Sequence, residues 1–230
     1  MSTRPGPKFL VSFALAALLA TAGIARGQSG DADEATVVLA EVRARYGALR
    51  GLRARFEQRF HHRFHERDDR WRGRIALQRP GRLRIDYDVP RGRVLASDGT
   101  RIVSYEPEPA PGQYYEQAAS EDAMPIALGL LMGVDLPEDA VQARLVDARQ
   151  TGFVGSVIEL RPSAPVAHYE RVWLYVDRAE GRRGRVHRVM IIDHAGNTNR
   201  FDLIAQVENP PLAESTFVFR PPASARRIEP

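Results

Sequence analysis

Residues 52–65 read LRARFEQRFHHRFH, and the alternation of their side chains decides the fold class. A period of two is typical of a β-strand with one face toward water and one toward a core. The polar face carries Arg53, Arg55, Glu57, Arg59, His61, Arg63 and His65. The other face is mainly apolar and carries Leu52, Ala54, Phe56, Phe60, His62 and Phe64, with Gln58 between them. The stretch therefore predicts a long strand that has one wet face and one largely apolar face.

The same alternation continues along the chain. Residues 71–78 place Trp71, Ile75 and Leu77 on one face, and residues 82–87 do so with Leu83, Ile85 and Tyr87. Asp98-Gly99, between residues 94–96 and 102–105, is a strong hairpin signal. Further short strands are predicted at 114–117, 143–147, 154–161, 172–177, 186–193 and 199–207. Residues 34–50 have helical spacing instead, with Val38, Val42, Tyr46 and Leu49 on one stripe.

These elements predict a mainly β protein with some helix, built on one curved antiparallel sheet of about 10–11 strands, a size at which a sheet must curl or close. Its concave face would carry Phe56, Phe60, Phe64, Trp71, Ile75, Leu77, Leu83, Ile85 and Tyr87. Two interpretations stay open: an apolar pocket for a hydrophobic ligand, or side chains that simply pack on one another and on the helices. Residues 124–132, MPIALGLLM, are apolar all round and predict one or two buried helical turns.

Composition narrows the class of protein. The chain has 230 residues, no cysteine, 43% hydrophobic residues and a formal net charge of +4. This composition excludes a disordered chain, a disulfide scaffold, a cysteine-ligated metal site and a lipid anchor on cysteine. The start of the chain has two basic residues, Arg4 and Lys8, before an uncharged run over 9–22, and this pattern predicts a secretory signal peptide at 1–22. We expect a single exported domain at 23–230.

No catalytic motif is found for serine hydrolases, zinc proteases, nucleotide-binding loops or dinucleotide-binding folds. His61 and His65 would lie about 13 Å apart on one strand face, too far to share a metal ion, and His62 points the other way. We therefore predict no enzyme, no cofactor and no metal site. Export and a charge of only +2 without the leader also argue against nucleic-acid binding.

Nine arginines lie within residues 50–74. They can be interpreted as a solvated sheet face. They can also be interpreted as an electropositive surface for an anionic partner or for membrane headgroups.

Several short motifs make the sequence resemble the outer-membrane lipoprotein carrier (LolA) family. Arg79-Pro80-x-x-Leu83-Arg84-Ile85-x-Tyr87 is similar to the family's Arg-Pro-x-x-Phe-Arg-Trp-x-Tyr. Ser97-Asp98-Gly99-Thr100, then Tyr105-x-Pro107, and finally Phe217-Val218-Phe219-Arg220-Pro221 follow in the family's order. Leu83, Ile85, Val89 and Val103 depart from its usual residues, which keeps the pocket apolar but changes its shape.

The resemblance implies an unclosed half-barrel with a helical lid over an apolar cavity, in a monomeric periplasmic carrier. Its cargo would be lipoproteins with acylated N-termini, received from an inner-membrane ABC transporter and passed to an outer-membrane receptor. Leu128, Leu131 and Met132 would line the lid, and Arg79 would hold the lid to the barrel through backbone carbonyls. The plainer interpretation of Arg79 is a strand-edge arginine before a turn. Two alternatives on the same fold are a carrier of another amphiphile, such as a glycolipid, and an envelope lipid sensor.

Overall fold

The computed structural model describes residues 22–119, 138–167 and 169–229. Helix α1 spans Ala22–Gly47, and a short helix α2 spans Ala148–Thr151. The strands are β1 (Gly51–His62), β2 (Arg67–Gln78), β3 (Arg82–Val89), β4 (Val94–Asp98), β5 (Arg101–Glu106), β6 (Gln113–Ala118), β7 (Val141–Leu145), β8 (Ser156–Pro162), β9 (Arg171–Val176), β10 (Val186–Ile192), β11 (Thr198–Glu208) and β12 (Arg226–Arg227). Short 3-10 helices span Glu138–Ala140 and Glu214–Phe217.

All twelve strands form one open sheet. Its order is β12-β6-β5-β4-β3-β2-β1-β11-β10-β9-β8-β7. The runs β1–β6 and β7–β11 meet in the sheet where β1 pairs with β11, and β12 pairs with the outer edge of β6. Every pair is antiparallel except β12 with β6, which is parallel. We call the end of the sheet where β1 begins the α1 end, and the end where β1 stops at His62 the hairpin end.

The register places the alternating apolar residues of neighbouring strands on one concave face. Leu52 of β1 pairs with Leu77 of β2, which in turn pairs with Leu83 of β3. One step toward the hairpin end, Ala54, Ile75 and Ile85 pair in the same way. The concave face is therefore continuous across strands that are adjacent in the sheet, and the arginines of β1 and β2 lie on the convex face.

Gly73 occupies the next position of this concave face, between Phe56 and Tyr87. A Cβ atom on Gly73 would lie 2.1 Å from the backbone oxygen of Asp86 and 2.9 Å from a ring carbon of Phe56. Glycine is thus the residue that lets the aromatic rings and the neighbouring strand come this close.

We expect Gly73→Ala to lower the free energy of unfolding by about 3 kcal/mol, because backbone and ring must both shift to admit the methyl group. Urea denaturation measures the change. Gly47→Ala is the control, since an added Cβ there meets nothing within 4 Å. Equal midpoints for Gly73→Ala and the wild type would contradict the tight packing at this position.

Helix α1 packs on the concave side at the α1 end and contacts β7 and β8. Its stripe of Val38, Val42 and Tyr46 is fully buried. The Tyr46 hydroxyl accepts a hydrogen bond from the Val186 N–H at 3.0 Å, and burial raises the pKa of this hydroxyl to about 12. Arg45 adds an ion pair with Glu208 of β11. The helix is thus part of the core rather than a surface addition.

The C-terminal segment covers the convex face of β3–β6. Phe217 is buried there, and Phe219 packs against Tyr105 with ring centroids 5.6 Å apart. The guanidinium of Arg84 lies 5.0 Å from the centre of the Phe219 ring. The segment then adds β12 to the edge of β6. The C-terminal segment therefore covers an apolar area on this half of the convex face.

The convex face of β7–β9 is organised around one buried carboxylate, Glu159, whose side chain is 1% exposed. Arg144 and Arg161 each donate an Nε–H to Glu159 Oε1, at 2.9 and 2.7 Å. Trp173 Nε1–H donates to Glu159 Oε2 at 2.8 Å, and Arg171 lies 3.5 Å from the same oxygen. Burial raises the pKa of Glu159, but these hydrogen bonds outweigh it, and the net pKa lies below the ordinary value.

The structure confirms the predicted fold class of a mainly β chain with one open, curved sheet. It differs from the expectation in detail. The described residues form twelve strands, whereas about 10–11 were expected, because β12 has two residues and leaves no alternation to detect. The helix predicted at 34–50 is observed at Ala22–Gly47. Residues 124–132, predicted as a short buried helix, lie outside the described residues. Within the described ranges, no helix is long and apolar enough to cross a membrane.

Candidate functional site

Most of the predicted concave residues form the buried floor at the α1 end. Phe56, Ile75, Leu77, Leu83 and Ile85 are all buried and belong to one hydrophobic cluster with the core residues of α1. This part of the concave face is therefore filled by α1 and by its own side chains. With α1 in this position, a ligand can contact the concave face only nearer the hairpin end.

An aromatic layer lies above this floor. The Phe56 ring meets Tyr87 edge-on at 5.3 Å and Phe201 at 6.0 Å between ring centroids. Tyr87 and Phe201 are both half-buried. Phe201 was not among the predicted residues, although it lies on the alternating strand at 199–207. Only the pairing of β11 with β1 shows that this ring faces Phe56.

One polar step follows the aromatic layer. Gln58 is buried, accepts a hydrogen bond from the Tyr87 hydroxyl at 3.2 Å and donates one to Asn199 Oδ1 at 2.9 Å. Burial raises the pKa of the Tyr87 hydroxyl, so it remains a donor at neutral pH. The polar groups on the concave face at this level are thus paired with one another, which makes their burial tolerable.

Accessible apolar side chains lie between this step and the hairpin end. Trp71 pairs with Gln58 in the β1–β2 ladder, and Phe60 follows two residues later on β1; both are half-buried. Ile191 of β10 is also half-buried on this side. These side chains offer apolar surface that α1 does not cover completely.

A charged cluster borders this surface. His62 lies 2.7 Å from Asp69 Oδ2, and Arg67 donates to the same oxygen at 3.1 Å. The hydrogen bond from His62 lowers the pKa of Asp69, with Arg67 adding to the effect. The His62 ring also packs against Phe60, with centroids 4.6 Å apart. The concave face therefore changes from apolar to charged at the hairpin end.

Phe64 departs from the expected position. The alternation extends the strand to residue 65, but β1 ends at His62, which pairs with Arg67. Residues 63–66 form the turn between β1 and β2, and the Phe64 side chain is 91% exposed. The alternation of side chains between the two faces applies only within a strand. Because Phe64 lies in the turn, it does not line the concave face.

Arg79 lies at the α1 end, where β2 stops. Its Nη1 donates a hydrogen bond to the backbone oxygen of Gly47, the last residue of α1, at 2.5 Å. The arginine thus ties the end of α1 to the sheet through a backbone carbonyl group. Its predicted contact with residues 124–132 and the predicted lining by Leu128, Leu131 and Met132 lie outside the described residues and stay predictions.

The histidines do not gather at a metal site. His61 lies 3.0 Å from Asp68 on the convex face, while His62 contacts Asp69 on the concave face. In the part of the chain that the structure describes, no group of three or more histidine, cysteine or acidic side chains could hold a metal ion.

These features define a class of protein, namely an open antiparallel sheet with a partly accessible apolar concave face and a helix packed at one end. The family model described as outer membrane lipoprotein carrier protein LolA matches residues 48–220, and the chain belongs to this family. The resemblance found in the sequence motifs is thereby confirmed. The matched range begins before β1, ends after β11 and includes every residue predicted for the concave face.

Individual relatives agree with this assignment. The outer-membrane lipoprotein carrier protein of Dechloromonas aromatica is 27% identical over 176 residues, covering 76% of this chain and 80% of the relative. That of Methylobacillus flagellatus is 24% identical over 184 residues, covering 80% and 85%. Among solved structures, a LolA superfamily protein from Nitrosomonas europaea is 14% identical with a TM-score of 0.47, covering 80% of this chain and 97% of that one.

Proposed function

We propose that the protein is a periplasmic carrier that binds the acyl chains of lipoproteins on its concave face and takes them from the inner to the outer membrane. The observation that carries the proposal is the family match over residues 48–220, within which the concave face is apolar. The carrier is not an enzyme. It is made with a signal peptide at 1–22 and acts as a monomer without a cofactor.

The physical task explains the architecture. Burying an acyl chain is worth about 0.8 kcal/mol per CH₂ group, so a triacyl anchor cannot cross water unless its chains are covered. An open sheet can change its curvature without breaking a closed ring of strand pairing, and here the two edge strands, β12 and β7, are not hydrogen-bonded to each other. Such a sheet can therefore widen to receive chains and narrow after their release.

The accessible residues Phe60, Trp71 and Ile191, with Phe201, are the side chains that we expect the acyl chains to contact first. The hydrogen-bonded pair of His62 and Asp69 beside them favours keeping the polar part of the cargo at the hairpin end. The donor would be an inner-membrane ABC transporter and the acceptor an outer-membrane receptor.

Depletion of the protein tests the proposed route. Lipoproteins destined for the outer membrane should accumulate in the inner-membrane fraction, whereas integral outer-membrane proteins should not be delayed to the same degree. Mass spectrometry of lipids that co-purify with the protein separates cargo classes: a glycolipid in place of lipoproteins would favour the alternative carrier. Unchanged lipoprotein distribution on depletion would contradict the route.

We expect Arg79→Leu to leave the fold intact and impair cargo hand-off, because leucine cannot donate to the carbonyl that Arg79 reaches. Arg79 is exposed, so thermal unfolding should change little. Release of lipoproteins from spheroplasts and their transfer to outer membranes provide the measurement. Arg91→Leu, at an exposed position in the β3–β4 turn, is the matched control. Normal transfer by Arg79→Leu would count against the role.

Charged substitutions at Leu128, Leu131 or Met132 should reduce uptake of a fluorescent acyl probe, because a charge on the lid lining must lose its water when a chain binds. Asparagine at each position is a milder comparison and should have a smaller effect. Binding that is unchanged by aspartate at all three positions would place these residues away from the lipid.

A further inference from the structure

The tip of the β1–β2 hairpin combines an exposed aromatic ring with basic side chains. We call residues 63–67 the hairpin tip. Phe64 at its centre is 91% exposed, and Arg63 and Arg67 flank it, both exposed. The other large apolar side chains that are exposed in the described residues are valines or an isoleucine, so Phe64 is the one exposed aromatic ring among them.

The structure holds this ring in place. The strand ladder continues to the pair of His62 and Arg67, directly below the turn. The Arg63 N–H donates to Asn197 Oδ1 at 3.0 Å, which ties the turn to the neighbouring β10–β11 connection. Phe64 contacts His65 edge-on, with centroids 5.1 Å apart. The ring therefore projects from an anchored turn and does not fold back onto the apolar core.

The charge around the tip is positive in effect. Residues 59–72 contain five arginines against three acidic residues. Asp68 is already paired with Arg59 at 2.5 Å, and Asp69 with Arg67 at 3.1 Å. Arg63 forms no ion pair with any residue that the structure describes. Asp68 and Asp69 are thus engaged within the hairpin, whereas Glu66 of the tip is exposed and has no ion pair among the described residues. The two arginines of the tip still exceed this one carboxylate, so the tip keeps a net positive charge and Arg63 remains available to an anion.

This chemistry fits a lipid surface better than a protein partner. A stable protein interface needs at least about 1,000 Å² of complementary surface, which a single projecting ring cannot supply. Aromatic rings with flanking arginines are instead favoured at the boundary of headgroups and acyl chains, where the cations meet lipid phosphates. Membrane headgroups are also one of the interpretations that the arginine-rich segment at 50–74 left open in the sequence.

We propose that the hairpin tip docks the protein on the surface of an anionic phospholipid bilayer, with Phe64 at the interface and Arg63 and Arg67 against the phosphates. Phe60 and Trp71 lie on the same two strands toward the same end, so docking turns the accessible part of the concave face toward the bilayer. A single ring and two cations give weak, reversible attachment, which suits a protein that must leave again. The docking goes beyond the carrier function and requires no cargo.

Flotation of the mature chain with vesicles tests the docking. Wild-type protein should float with phosphatidylcholine vesicles that contain phosphatidylglycerol, much less with phosphatidylcholine alone, and less as salt rises. Phe64→Ser should lower the partition coefficient about tenfold, because a whole aromatic side chain leaves the interface. Phe64→Trp should retain binding, and Arg63→Ser with Arg67→Ser should remove the preference for anionic vesicles.

Val154→Ser is the matched control, because Val154 is 94% exposed but lies before β8 at the α1 end. It should float like the wild type. Equal flotation of Phe64→Ser and wild type, binding to neutral vesicles at the same strength, or no binding at all would overturn the proposal. A dimer that Phe64→Ser dissociates, without vesicle binding, would overturn it in favour of a second copy of the chain. None of these outcomes depends on lipoprotein transfer, so the carrier function is judged separately.

Discussion

Glu159→Ala is expected to lower the free energy of unfolding by about 3 kcal/mol, because it removes the carboxylate of a buried group of ion pairs. The substitution removes the acceptor shared by Arg144, Arg161 and Trp173 and leaves cations together on the convex face of β7–β9. The effect lies at the lower end of the range for a broken buried pair, since Arg144 and Arg161 can still turn toward water. Chemical denaturation provides the measurement.

Two comparisons make this prediction specific. Glu170→Ala removes a carboxylate that also contacts Arg161 and Arg171 but is 35% exposed, and its cost should stay below about 1 kcal/mol. Glu159→Gln tests the charge. Because the folded pKa of Glu159 lies below its ordinary value, its charge stabilises the fold above about pH 4.3 and this contribution disappears as the pH falls through the folded pKa. The difference between wild type and Glu159→Gln should therefore shrink in acid. A difference independent of pH would contradict the account.

Trp71→Glu is expected to weaken binding of a fluorescent acyl probe at least about tenfold, the largest effect on the proposed function. Trp71 is half-buried on the accessible part of the concave face, so a carboxylate there meets the acyl chain and must lose water. The fold should persist because water still reaches this position. Fluorescence titration gives the affinity.

The neighbouring residue supplies the control for Trp71. Arg72→Gln changes the net charge by the same single unit, but Arg72 is exposed on the convex face of the same strand. It should bind the probe like the wild type. If both variants bind equally well, the acyl chains do not contact the concave face near Trp71, and the proposed site is wrong.

The first half of the sheet could be predicted because its signals are local. The Asp98-Gly99 turn is an example: Asp98 Oδ1 accepts hydrogen bonds from Thr100 N–H at 2.9 Å and Arg101 N–H at 3.1 Å. Hydrogen bonds from Thr100, first of all from its side chain, lower the pKa of Asp98 to about 2. A turn whose hydrogen bonds all lie within four consecutive residues can be predicted from those residues alone. The same holds for neighbouring strands in which apolar and polar residues strictly alternate.

Features that depend on distant strands could not be predicted in this way. Glu159 is a single acid in the apolar run of β8, and its partners Arg144 and Trp173 come from β7 and β9. Likewise, the contact between the Phe201 and Phe56 rings follows only from the pairing of β11 with β1, in which Phe201 lies opposite Gln58. Phe64 was predicted to lie on the concave face because the alternation of apolar and polar residues continues to residue 65. The strand itself ends at His62, so the alternation does not apply to Phe64. These features depend on the register between strands that are distant in the sequence, and the sequence alone does not give that register.

The joining of the two strand runs at β1 and β11 has a consequence for folding. Residues 51–62 must wait for residues 198–208 before the centre of the sheet can close, although each run can form from contacts between consecutive strands. A chain that crosses a membrane with its N-terminus leading would thus expose the edge of β1 until almost the last strand has arrived. Helpers that shield nascent chains should matter most during this interval, and late truncations should aggregate rather than yield a smaller working protein.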